Sequence, residues 1–161
     1  MSIAGGVHTA FERGMRSGCT TMQVFVKNSN QWTARSPGKP EVDLYRSAAA
    51  ASAISPVVAH ASYLINLCAV SPETLKRSRD SYVDELQRCA GFGITALIFH
   101  PGAHMGSGEA EGIKRVAESL NIIHARTPAV LTFTTLECTA GQGSALGYRF
   151  EHLKGIIDGV E

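Results

Sequence analysis

Apolar residues in this chain gather in two alternating ways. Four short runs, TMQVFV (21–26), PVVAH (56–60), TALIFH (95–100) and AVLTFTTLE (129–137), are largely continuous in apolar, β-branched or aromatic side chains. That is the pattern of strands covered on both faces. The last run contains three Thr residues and is the most polar of the four. Between the runs, apolar positions recur at helical spacing. In 72–90, Leu75, Tyr82, Val83, Leu86 and Cys89 form one face, Ser71 stands at the N-cap position, and Pro72 opens the first turn. The charged residues of this segment are assigned to its exposed face. Residues 109–124 repeat the pattern with Ile113, Val116, Ala117, Leu120 and Ile123, and place Glu109 and Glu111 near the positive end of the helix dipole. GGVHTAFERGMRSG (5–18), PEVDLYRSAAAASA (40–53) and FEHLKGIID (150–158) predict three further helices.

The predicted strand ends, near 26, 60, 100 and 137, lie 34 to 40 residues apart. One strand and one helix per interval predict a parallel sheet with right-handed crossovers. The 161 residues, 44% of them hydrophobic, suffice for one sizeable core but not two. A net charge of +1 gives no global attraction to nucleic acid or to a membrane, so any polyanion site must be local. Cys19, Cys68, Cys89 and Cys138 form no Cys-x-x-Cys pair, which excludes a zinc ribbon and a redox pair and fits a reducing cytoplasm. MSIAGG has no signal-peptide pattern, and no run reaches the roughly eighteen apolar residues of a membrane span.

Three of the strand ends carry residues that bind metals: His60, His100 and Glu137. In a parallel sheet they share one edge, the carboxyl edge, where rigid strands present side chains to a ligand. Two imidazoles and a carboxylate, about one strand spacing apart, suit a divalent ion. Taken singly, each has an ordinary alternative: a hydrogen-bonded histidine, or a glutamate paired with Arg or Lys. The loop KNSNQWTARSPGK (27–39) combines Lys27, Arg35 and Lys39 with the one Trp and no acid, a strip able to meet phosphates and bases, or else a solvated loop. TAGQGSALG (139–147) lacks the P-loop lysine, so no nucleotide cofactor is expected, and its glycines let the backbone pass near the strand ends. His104 reads as a structural or solvated loop residue. His8, His124 and His152 read as helix residues without partners. Cys138, following Glu137 on an extended strand, is expected to point away from it and to pack.

The segments SIAGGV, VKNSNQW, HASYLINL, FHPGAHMGSGEAEGI and ECTAGQGSALGYRFEHLKGIIDGVE, in that order and at these gaps, resemble the endonuclease IV type of apurinic/apyrimidinic endonuclease, AP endonuclease family 2. The resemblance implies an α/β fold, a TIM (β/α)8 barrel of the xylose isomerase-like superfamily. Residues 1–161 would be a single incomplete domain of about four of its eight parallel βα units, without the first strand and the C-terminal half. It implies a hydrolase of DNA repair that cleaves phosphodiesters 5′ to abasic sites in double-stranded DNA. It also implies a cluster of up to three zinc ions, of which at most one is expected here. Carried over by position, His60, His100 and Glu137 are metal ligands, Glu137 also bridging two metals and so catalytic. Asn30 and Tyr63 stand at the DNA-inserting positions, Asn30 where the family often has Arg. Members are usually monomeric and act in the bacterial cytoplasm.

Four strands cannot close a barrel, so two open sheet edges are expected, together with little or no incision by this chain. Two other readings stay open: a metal-dependent sugar isomerase or epimerase barrel, whose strands also end in His and Glu, and a non-catalytic half-barrel that binds DNA.

Overall fold

The computed structural model describes residues 1–161. Five helices and four strands alternate: α1 (Thr9–Arg16), β1 (Met22–Val24), α2 (Lys39–Ala50), β2 (Val57–His60), α3 (Pro72–Phe92), β3 (Ala96–Phe99), α4 (Glu109–Arg126), β4 (Phe133–Leu136) and α5 (Phe150–Asp158). The strands pair in parallel in the order β1-β2-β3-β4, each beside its neighbour in sequence. This is the expected α/β half of a barrel wall, and β1 and β4 are its two edges.

Local chemistry sets the element boundaries. Ser71 Oγ accepts a hydrogen bond from Thr74 N at 3.3 Å, and Pro72 occupies the first turn of α3. The helix stops at Gly93, whose φ of 82° is left-handed. The predicted 5–18 helix shortens to α1 because Gly5 and Gly6 have φ of 89° and 120°, which no helix accommodates. The 129–137 run is a strand only over Phe133–Leu136. Its earlier part is a turn after Thr127, where Val130 N donates to Thr127 O at 3.0 Å.

The core lies between the sheet and its helices. Leu97 and Phe99 of β3 are buried against α3, and Tyr82 of that helix stacks edge-on to Phe99 with ring centroids 5.1 Å apart. Phe11, Tyr45 and Phe92 continue this layer from α1 to α3. Burying a side chain the size of Leu97 contributes about 2 kcal/mol. The opposite face of the sheet is less covered. Gln23 is exposed, Ile98 and Thr135 are half-buried, and Phe133 at the β4 edge is 72% exposed. No helix is long and apolar enough to cross a membrane.

Candidate metal centre

The parallel register brings the three strand-end residues together. His60 Nε2 lies 3.0 Å from Glu137 Oε2, and His100 Nε2 lies 3.9 Å from the same oxygen. One ligand atom from each residue falls within 4.8 Å of the others. Donors about 2.1 Å from a shared tetrahedral ion stand about 3.4 Å apart, so the two distances to Glu137 bracket what a metal requires. The donor chemistry fits as well. His60 Nδ1 is 2.7 Å from Ala61 O, a pure acceptor, so that nitrogen donates and Nε2 is the atom left to coordinate a metal. His100 Nδ1 is a buried side-chain nitrogen with no hydrogen-bond partner. His60 is buried, while His100 and Glu137 have 41% and 45% of their side chains exposed, as an open metal site needs.

A cavity of about 510 Å³ opens on His60 and His100. One wall is the β2–α3 loop with Ser62, Tyr63 and Asn66; another is Ala140, Gly141 and Gln142 of the glycine-rich loop. That loop passes close to the strand ends: Gly147 has φ of 95°, and a Cβ there would sit 3.1 Å from Pro101. Asn66 supports the His100 turn. Its Oδ1 accepts from Ala103 N at 3.2 Å and from Cys68 N at 3.1 Å, and its Nδ2 donates to Ala103 O at 3.0 Å.

Tyr63 is 65% exposed at the rim, its ring 5.5 Å from that of His60 and 5.3 Å from that of Phe25. Asn30 is exposed on the preceding loop, outside the cavity lining, with its N–H bonded to Asn28 Oδ1 at 3.0 Å.

Several expectations are corrected. The 27–39 loop is not a free basic strip. Lys27 is buried and pairs with Asp84 at 2.9 Å and Glu85 at 3.3 Å, Arg35 pairs with Glu41 at 2.6 Å, and Lys39 pairs with Asp43 at 2.5 Å. Each acid comes from a helix, out of reach of an argument confined to the loop. The charged side of α3 is not wholly exposed either, because Glu85 and Arg88 are buried beneath that loop. Cys138 does not pack: β4 ends at Leu136, and Cys138 is exposed and borders the cavity, its thiol outside the donor set formed by His60, His100 and Glu137. His152 and His124 have partners. Gly147 N donates to His152 Nδ1 at 3.2 Å, His152 Nε2 faces Glu109 at 3.2 Å, and His124 meets Thr134 at 3.2 Å. His104 is structural, accepting from Gly108 N at 3.1 Å.

Residues 11–161 match the family model of AP endonuclease family 2, described as a xylose isomerase-like TIM barrel. The chain belongs to this family. A probable endonuclease 4 from Citrifermentans bemidjiense is 46% identical over 159 residues, covering 99% of this chain and 56% of the relative. The crystal structure of endonuclease IV from Thermus thermophilus superposes with a TM-score of 0.86 at 34% identity, covering 99% of this chain and 58% of that one. A D-tagatose 3-epimerase-like protein superposes at 0.70 but is only 14% identical, covering 88% of this chain and 52% of its own, and shares the fold alone. The chain spans a little over half the length of the curated relative it matches.

Proposed function

We propose that residues 1–161 supply the first metal site and both DNA-contacting loops of a zinc-dependent endonuclease that hydrolyses phosphodiesters 5′ to abasic sites. The observation that carries this reading is the convergence of His60, His100 and Glu137 on one ion-sized gap at the carboxyl edge of β2, β3 and β4. Similarity to proteins named endonuclease 4 supports DNA as the substrate over the sugars of the epimerase-like neighbour.

A zinc ion bound there would polarise phosphoryl oxygens and acidify water. The remaining work belongs to the chain. Ala61 O fixes the His60 tautomer, which aims Nε2 at the gap. Glu137 turns Oε2 toward both imidazoles, leaving Oε1 to orient an attacking water. Tyr63 offers a flat, exposed ring beside the ligands, suited to fill the space where a base is missing. All four cysteines are free thiols, which suits action in a reducing cytoplasm.

The test uses the zinc-loaded 161-residue chain and two duplexes, one containing a single tetrahydrofuran abasic analogue and one intact. We expect tighter binding to the abasic duplex, a preference lost with EDTA and in Glu137→Gln, and little incision. Equal affinity for both duplexes with and without metal would overturn the reading. EDTA-sensitive incision would overturn only the expectation of low activity.

A further inference from the structure

The helix α3 carries a polar stripe that the metal chemistry does not use. Ser81, Asp84, Glu85 and Arg88 lie three, four and seven positions apart, on one side of the helix. Lys27, from the loop after β1, inserts into this stripe with its side chain 2% exposed. Its ammonium donates to Ser81 Oγ at 2.9 Å, to Asp84 Oδ2 at 2.9 Å and to Trp32 O at 3.0 Å, which uses all three of its hydrogens. Arg88 binds Asp84 through Nε at 2.9 Å and donates through Nη2 to Ala34 O at 2.7 Å and Arg35 O at 2.9 Å. Four charged groups thus cross-brace one loop against one helix.

The same stripe holds a second loop. Glu85 Oε2 accepts from Ser62 N at 3.0 Å, and Ser62 Oγ donates to Ser29 O at 2.6 Å. Ser62 and Ser29 precede Tyr63 and Asn30, the two residues assigned to DNA contact. That short bond therefore ties together the bases of both side chains, and Glu85 holds the tie to α3. Two residues before Ser62 stands His60, so the network also fixes the height of Tyr63 above the metal ligands.

A buried cluster of this kind is a weak device for stability alone, because desolvation of its charges offsets much of their attraction. What it supplies is fixed geometry between elements more than 50 residues apart, as in the Lys27–Asp84 bond with its separation of 57. We propose that Lys27 and the Ser81–Asp84–Glu85–Arg88 stripe are positioning residues for abasic DNA. They hold the Asn30 and Tyr63 loops in one rigid relation to His60, His100 and Glu137. This inference rests on the reading of that face as a site for abasic DNA.

Trp32, the chain's one tryptophan, reports on it directly, since its carbonyl is a Lys27 acceptor and its ring lies 4.6 Å from the Arg77 guanidinium. The experiment compares the wild-type chain with Lys27→Met and with Lys27→Met/Glu85→Gln. The double variant leaves no unpaired charge between those two positions and is expected to recover most of the melting temperature lost by the single one. Both variants should shift Trp32 emission to the red. Both should also weaken binding of the tetrahydrofuran duplex about tenfold, the equivalent of ~1.4 kcal/mol, with the Co²⁺ absorption spectrum unchanged. If abasic-duplex affinity returns with melting temperature in the double variant, the network only stabilises the fold and the proposal fails. Unchanged Trp32 emission and affinity in both variants also overturns it, while leaving the functional reading intact if the wild type still prefers the abasic duplex. A wild-type chain without that preference overturns both.

Discussion

His60 and Glu137 meet at 3.0 Å although β3 runs between the strands that lead to them. Ala61 O accepts from His60 Nδ1, which leaves Nε2 as the ring atom that faces the carboxylate. A metal ion would take both atoms as ligands in place of that direct contact. We therefore expect His60→Ala, His100→Ala and Glu137→Gln each to weaken Co²⁺ binding by about tenfold or more, read from the visible absorption of the bound ion. His60→Ala should also cost about 1–2 kcal/mol of stability, since its ring is buried and hydrogen-bonded. His100→Ala, at a half-exposed position, should not. Unchanged Co²⁺ affinity in all three variants would put the ion elsewhere.

The turn after His100 is the next point of failure. Gly102 has φ of 105°, and a Cβ there would fall 2.1 Å from Asn66 Oδ1, the atom that accepts from Ala103 N and Cys68 N. Gly102→Ala combines left-handed strain with loss of that brace, a cost of about 1–3 kcal/mol. Because His100 lies two residues earlier, Co²⁺ affinity should fall with stability. Chemical denaturation alongside a Co²⁺ titration checks both, and an alanine variant with wild-type values in each would show that the turn is not constrained.

Tyr63 tests the DNA face without touching a metal donor. It is 65% exposed, so Tyr63→Ala should leave the melting temperature nearly unchanged. Its ring is worth about 1–3 kcal/mol when stacked on a base, here one flanking the gap. Fluorescence anisotropy with abasic and intact duplexes should show the preference for the abasic one reduced about tenfold. A preference equal to that of the wild type would remove Tyr63 from the interface.

The order of elements, the parallel sheet and the His60, His100 and Glu137 set are legible in the sequence because unbroken apolar runs end on chemically distinctive residues. Strand lengths are not legible. Val130, Leu131 and Thr132 suit a strand by propensity, yet β4 begins only where Phe133 N finds Thr95 O, at 2.7 Å. The burial of Lys27, Glu85 and Arg88 is hidden for a related reason. Helical periodicity assigns charged residues to solvent, and only a loop distant in sequence supplies the partner that lets them be buried. Cys138 reached the cavity because pairing with β3 stopped one residue short of Glu137, which the alternation of side chains cannot foresee.

Acid should expose the Lys27 network. Burial alone would raise the Asp84 carboxyl, but hydrogen bonds from Arg88 and Lys27 with their positive charge hold it below the ordinary carboxylate range. A folded value below the unfolded one gives stability that is present at neutral pH and lost as pH falls through the depressed value. Glu85 has the opposite sign: burial raises its carboxyl more than Lys27 lowers it, so the fold keeps its proton more tightly and acid opposes unfolding there. Urea midpoints between pH 7 and pH 3 should therefore fall less steeply in Asp84→Asn than in the wild type, from a pH 7 value about 1–2 kcal/mol lower. Glu85→Gln should steepen the same decline. Parallel curves for all three proteins would show that neither carboxyl is linked to folding.

The four thiols should separate by place in the fold. Cys138 is exposed in the cavity and Cys19 half-buried, while Cys68 and Cys89 are buried. Burial raises the Cys68 thiol to about 11, and raises Cys89 further. The thiolate is the reacting form, so the two buried residues combine low access with low ionisation. Iodoacetamide at pH 8 should label Cys138 first and Cys19 more slowly. Cys68 and Cys89 should react only in denaturant, as read by peptide mass mapping over time. Cys138→Ser should remove the fast phase and leave Co²⁺ binding intact, since Glu137 and not its neighbour turns to the imidazoles. If Cys89 reacted as fast as Cys138, α3 would have to open on the timescale of labelling, and the rigid mount assigned to the Asn30 and Tyr63 loops would not hold.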